Sequence, residues 1–127
     1  MKILITGGFG FIGRHLTNEL LNDGHEIKII DDLSSGTIKN IDKRIKDIHV
    51  RNIYSIQLWE LNEIMKDVEV VFHLAAFPRV EESIQNPIKF NDINVRGTLN
   101  VLESARQLKV KKVIFISSSA VYGNTVS

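Results

Sequence analysis

The first residues that could do chemistry are Gly7, Gly10 and Gly13, every third position of Gly7-Gly8-Phe9-Gly10-Phe11-Ile12-Gly13. A turn of this kind lets the backbone come close to a diphosphate. Gly7 and Gly10 permit the bend and the approach, and Gly13 lets a following helix pack tightly on its sheet. Phe11 and Ile12 offer backbone N–H donors at the positive end of that helix. The second group is Asp31-Asp32, at the tip of the next aliphatic run. A carboxylate there can accept hydrogen bonds from ribose hydroxyls. Strand, glycine turn, helix, strand and acid in that order are what a dinucleotide requires. Three spaced glycines also lower stability unless something uses the space they leave.

Asp31 favours NAD over NADP, because its charge repels a 2′-phosphate. Arg14, the cation that would argue the other way, falls on the helix rather than after the second strand. His73 lies inside an aliphatic run and reads as a hydrogen-bonded core histidine rather than an acid or base. Trp59, at helical spacing, reads as core. The other histidines stand at no ligand spacing with carboxylates, so no metal site is expected.

Short aliphatic runs alternate with helical periodicity along the whole chain. Strands are expected at 2–6, 26–30, 48–50, 70–74 and 112–116. A first helix is expected from Phe11 to about Asn22, with Ile12, Leu16 and Leu20 on one side and Gly24 as its stop. A second starts from Ser55 as cap and carries Leu58, Trp59, Leu61, Ile64 and Met65 on its apolar side. A short helix over 81–85 stops before Asn86-Pro87. The longest, over 88–108, has Val95, Leu99, Leu102, Ala105 and Leu108 at core spacing. Residues 37–45 fit neither pattern. Unbroken apolar strands between helices predict an α/β fold, a doubly wound parallel sheet with strand order 3-2-1-4-5. Ligands of such sheets bind at the carboxyl ends of the strands, where Gly7 to Gly13, Asp31, Ala75-Ala76 and Ser117 to Ser119 all fall.

With 127 residues and no linker, repeat or low-complexity segment, residues 1–127 are expected to form one domain. A net charge of +1 offers nothing to nucleic acid or to a membrane surface, and Lys109, Lys111 and Lys112 read as a solvated loop. The lack of cysteine excludes disulfides and thiolate metal sites and fits the reducing cytoplasm. No secretory leader is expected, and the run from Val68 to Phe77, broken by Glu69 and His73, is too short to span a membrane.

Assembled, Thr6 to Gly13, Asp31 to Gly36, His73-Leu74-Ala75-Ala76, Asn94 to Thr98 and Ser117 to Gly123 resemble the extended short-chain dehydrogenases/reductases. More narrowly, the chain is similar to the NAD-dependent epimerase/dehydratase family, of the nucleotide-sugar 4-epimerase type, over essentially its whole length. The resemblance implies a Rossmann-type sheet, NAD as cofactor and a nucleotide sugar as substrate. It implies that Gly7, Gly10, Phe11, Ile12 and Gly13 hold the pyrophosphate. Asp31 and Asp32 match the adenosine-ribose position, and Ser35 and Gly36, in the turn that follows, are placed at the cofactor. Leu74, Ala75 and Ala76 match the segment lining the nicotinamide side, Asn94 matches an asparagine that supports the active site, and Ser117 is placed at the cofactor. Ser118, four residues before Tyr122, matches the residue that hydrogen-bonds the reacting sugar hydroxyl. In such enzymes a tyrosine, helped by a lysine, removes a hydroxyl proton while hydride passes to NAD. The ketone is then re-reduced, in epimerases on its other face. The stretch 88–108 resembles a helix used for dimer contacts, which points to a homodimer for a full-length enzyme.

Two features depart from the family pattern. Arg51-Asn52-Ile53 stands where Gly-Asp-Ile is usual. Asn52 can still accept from the adenine amine, less strongly than a carboxylate, with Ile53 beside it. The Tyr-x-x-x-Lys pair is also missing: Tyr54 is followed four residues later by Leu58, and Tyr122 by Val126. The pair is expected downstream of the serine strand. The chain therefore reads as the N-terminal, NAD-binding part of a nucleotide-sugar epimerase, truncated after strand 5, without its substrate domain and inactive alone. The apolar edge Val113 to Ile116 argues the same way. One alternative is a dehydratase or reductase of the same family, disfavoured by Ser119-Ala120 where dehydratases place Asp-Glu. The other is a non-catalytic dinucleotide-binding module complete at this length.

Overall fold

Ile3, Leu4 and Ile5 are almost wholly buried, because their strand, β1 (Lys2–Thr6), runs through the middle of a parallel sheet. The structure is a computed structural model. It describes residues 1–39, 41–77 and 80–123, with the side chains of Val80, Ser119 and Ala120 outside the description. Around β1 stand β2 (Glu26–Asp31), β3 (Asp47–Val50), β4 (Val70–His73) and β5 (Lys112–Phe115), in the order β3-β2-β1-β4-β5. All four pairings are parallel. The expected strand order is the observed one. β2 runs one residue further than expected, so Asp31 is its last residue, and β4 stops one residue earlier, at His73.

Alternation along the strands divides the core in two. Ile3, Ile5, Ile27 and Ile29 face α1 (Phe11–Asn22), whose Leu16, Leu20 and Leu21 pack on them. Leu4, Ile30 and Val71 face the opposite layer. There they meet Leu61, Ile64 and Met65 from α2 (Leu58–Ile64) and its C-cap, and Val101 and Ala105 from α5 (Gly97–Gln107). Each of the larger aliphatic side chains among them contributes about 1.5–3 kcal/mol by leaving water. α1 stops where expected: Gly24, at φ +87°, donates its N–H to Leu21 O at 3.0 Å. Lys28, on the α2 side of β2, donates to Ile64 O at 2.9 Å and Lys66 O at 3.4 Å, satisfying carbonyls that the end of α2 leaves open. Among the described residues no helix is long and apolar enough to cross a membrane.

Three expectations are corrected. The N-cap of α2 is Gln57, without a side-chain cap, rather than Ser55. Trp59 is 69% exposed rather than core. Its neighbours three and four residues on, Asn62 and Glu63, share its face, and that face is polar. The long helix is three pieces: α4 (Pro87–Asn91), a π turn (Asp92–Arg96) and α5. A shorter helix, α3 (Val80–Gln85), precedes them. On the composite helix the buried side is Phe90, Ile93, Gly97, Val101, Ser104 and Ala105, while Val95, Leu99, Leu102 and Leu108 are exposed. Small residues take the inner face because α5 lies close on what it covers. Ser104 Oγ donates to Asn62 Oδ1 at 2.6 Å, and a Cβ on Gly97 would stand 2.6 Å from Ile53 Cγ2.

Candidate functional site

The glycine turn sits at the carboxyl end of β1 and is pressed against the end of β4. Gly7, at φ +71°, donates its N–H to Ile30 O at 2.8 Å. A side chain there would adopt a strained backbone and bring Cβ to 3.0 Å from Ala75 N. Gly13 is needed for a different reason: a Cβ would lie 2.3 Å from Gly7 O, so α1 could not seat on the turn. Gly10 is the N-cap of α1. It has no side chain to cap with, and no acid stands in the first turn. The first helical bond joins Arg14 N to Gly10 O at 2.9 Å. The helix start, with the N–H groups of Phe11 and Ile12, thus carries an uncompensated positive dipole end, suited to an anion.

Asp31 is buried and braces the turn. Its Oδ2 accepts from Phe9 N–H at 2.9 Å and its Oδ1 from Leu33 N–H at 2.8 Å. A carboxylate oxygen has two lone pairs, so each keeps one for a further donor. Asp32 holds the loop after β2 by accepting from Ser34 N–H at 2.9 Å. Gly36 packs that loop onto the glycine turn, where a Cβ would stand 2.4 Å from Phe9 O.

Two cavities open along these strand ends. The smaller, about 90 Å³, lies between Gly7 and Gly10 on one side and Asp31, Asp32, Ser35, Asn52 and Ile53 on the other. The larger, about 540 Å³, is lined by Phe11, Ile12 and Gly13 at the start of α1, and by Asn94, Ser117 and Ser118. Gly7, Gly10, Leu74, Ala75 and Ala76 belong to both. Of the site residues expected from the sequence, Gly36 lines neither and lies against Phe9 instead. Asn52 Oδ1 already accepts from Tyr54 N–H at 3.0 Å, which occupies one of its lone pairs. Arg51, also at the smaller cavity, is paired with Glu60.

Sequence reasoning did not single out Phe77, Thr6 or Thr98. Phe77 continues the shared wall after Ala76. Its N–H donates to Asn94 Oδ1 at 2.9 Å and its carbonyl accepts from Asn94 Nδ2 at 3.1 Å. Its ring packs on Phe90, with the Lys89 ammonium 4.7 Å from the ring centre. The only hint of Phe77 in the sequence is its place directly after the small pair Ala75-Ala76. Thr6 and Thr98 bond to either side of the His73 ring, at 2.7 and 2.9 Å. His73 is 2% exposed, the hydrogen-bonded core histidine expected. Burial pushes its pKa down to about 4, so the ring is neutral near pH 7.

Tyr122 is exposed on a short 3-10 turn, and Val126 lies outside the described residues. The side chains of Ser119 and Ala120, on which the dehydratase comparison turned, also lie outside them. Among the described residues no three His, Asp or Glu side chains gather as a metal-holding group.

A family model described as NAD dependent epimerase/dehydratase family matches residues 3–127. A UDP-glucose 4-epimerase of Lactobacillus helveticus is 35% identical over 97% of this chain and 37% of its own length. A UDP-N-acetyl-alpha-D-glucosaminuronate decarboxylase of Bacillus cytotoxicus is 39% identical over 96% of this chain and 38% of its own. Among solved structures, the Thermus thermophilus UDP-glucose 4-epimerase complex with NAD superposes with a TM-score of 0.85 at 32% identity. The match covers 93% of this chain and 38% of that one. The chain thus spans well under half the length of each of these relatives.

Proposed function

Because the chain belongs to the NAD dependent epimerase/dehydratase family, we propose that it is the cofactor-binding part of a nucleotide-sugar epimerase. The reaction we assign to the whole protein is of the UDP-glucose 4-epimerase kind, with NAD as resident cofactor. The residues present fit such a group. The turn leaves no room for side chains at Gly7 and Gly13, the start of α1 is uncapped, and an acid with spare lone pairs stands at the tip of β2.

The two cavities support the assignment. Phe11 and Ile12 would meet the pyrophosphate with backbone N–H groups. Asp31, with Asp32 and Ser35, would hold the adenosine ribose, and the smaller cavity beside Asn52 and Ile53 would take the adenine. The larger cavity would take the nicotinamide and the sugar, against Leu74, Ala75, Ala76, Asn94 and Ser117. When bound, NAD supplies a hydride acceptor for a sugar carbon. Ser118, on the same cavity, would hydrogen-bond the reacting hydroxyl. Neither tyrosine of this sequence is followed four residues later by lysine, so proton removal is not assigned to any residue of this chain, which alone should not turn over.

The observation that carries the reading is the shared wall. One strip, Leu74 to Ala76, borders both the acid-lined cavity and the serine-lined one, with the glycine turn between them. That is the layout for one ligand with a diphosphate in its middle. The cysteine-free composition supports a place in the cytoplasm. Exposed Ile88, Val95 and Leu99 on the composite helix support a homodimer for the whole protein. The test is interconversion of UDP-glucose and UDP-galactose by the full-length protein. Turnover supports the reading, and decarboxylation of a UDP-uronic acid in its place would overturn it.

A further inference from the structure

His73 ties two clamps together, and the hydrogen count of the cluster leaves it one protonation state. Thr98 Oγ1 donates its only hydrogen to Asn94 O at 2.6 Å. It can therefore only accept at its 2.9 Å contact with His73 Nε2, which must carry a hydrogen. A neutral imidazole has one N–H, so Nδ1 is bare and accepts from the Thr6 hydroxyl at 2.7 Å. The lone pairs of Thr6 Oγ1 accept from Ala75 N–H at 3.1 Å and from Leu74 N–H at 3.1 Å, the latter shared with the Thr6 carbonyl at 3.1 Å. Donation runs one way from the backbone of Leu74 and Ala75, through Thr6, His73 and Thr98, to the π turn at Asn94. An imidazolium would aim a second N–H at a Thr6 oxygen with no lone pair left.

The segment held by this relay is the wall shared by the two cavities. It is gripped at its start by Thr6, through Leu74 and Ala75. At its end it is gripped by the Asn94 side chain, which bonds both backbone groups of Phe77. His73 and Thr98 are the link between the grips, joining β1 and β4 to the π turn and α5. We propose that His73, as the neutral Nε2–H tautomer, is a positioning residue that couples the two clamps and so sets the wall on which the dinucleotide lies. This rests on the dinucleotide reading above. The depressed pKa of the buried ring agrees with a neutral state but does not select the tautomer.

The test pairs imidazole ¹⁵N spectroscopy with NAD titration on the full chain, and with amide exchange at Phe77. Wild-type His73 is expected as Nε2–H at neutral pH. Thr98→Val should speed Phe77 exchange about tenfold and raise the NAD dissociation constant about fivefold, the size of one lost buried hydrogen bond. Thr98→Ser should restore both. An Nδ1–H tautomer or an imidazolium would overturn the proposal. So would a folded Thr98→Val protein with unchanged exchange at Phe77. The expected tautomer and exchange pattern in a protein that binds no NAD would support the coupling and sink the dinucleotide reading. NAD binding beside an Nδ1–H ring would sink the coupling alone.

Discussion

Asp31 has two functions at one carboxylate: it accepts from the backbone of Phe9 and Leu33, and it lines the smaller cavity. Asp31→Ala should therefore lower stability as well as affinity. Two N–H groups lose their acceptor, a loss of about 2 kcal/mol, readable as a fall in the urea midpoint. An unchanged midpoint would mean that Asp31 serves only the ligand. His73 makes stability depend on pH. A histidine in the unfolded chain titrates near 6.5, whereas the buried ring titrates at about 4. Between those values the unfolded chain binds the extra proton. The stability due to the neutral ring is thus full above about pH 6.5 and is lost as pH falls toward 4, by up to about 3 kcal/mol. Denaturation at a series of pH values should show that slope in the wild type and lose it in His73→Gln. Equal slopes would rule out His73 as the source.

The site depends on how closely α1 and β4 meet the turn. At Gly13 an added Cβ meets the Gly7 carbonyl, which is backbone and cannot rotate away. Gly13→Ala should cost about 1–3 kcal/mol in the denaturant midpoint and abolish NAD binding, whereas an exposed substitution such as Trp59→Ala should stay within about 0.5 kcal/mol. A Gly13→Ala protein of wild-type stability would show that α1 can seat elsewhere. Leu61→Ala, at the centre of the α2 layer, should cost about 2–5 kcal/mol and bears on the core rather than on the site. The π turn joins α4 to α5. It places Asn94 against Phe77 and, four residues on, Thr98 against His73.

Across the whole molecule, strand order was legible, and so was the clustering of the candidate residues at the strand ends, because both follow from short-range pattern. Ile3 to Ile5, Ile27 to Ile30 and Val70-Val71 mark strands buried on both faces, and handedness leaves few ways to wind them. Glycines and acids at strand ends then point to the carboxyl edge. What periodicity hid was set by close approach between elements. α5 turns Gly97 and Ser104 inward and Leu99 outward, since what matters there is room rather than hydropathy. Thr6, His73 and Thr98 are joined across three elements, a relation that no local window contains. In the reading proposed, these strand ends hold a dinucleotide by its adenosine ribose on Asp31. Calorimetric titration of the wild-type and Asp31→Ala chains with NAD and NADP tests it most directly. Wild type should prefer NAD, and Asp31→Ala should lose about tenfold or more for NAD, with a smaller loss for NADP. A preference for NAD that survives unchanged in Asp31→Ala would contradict it.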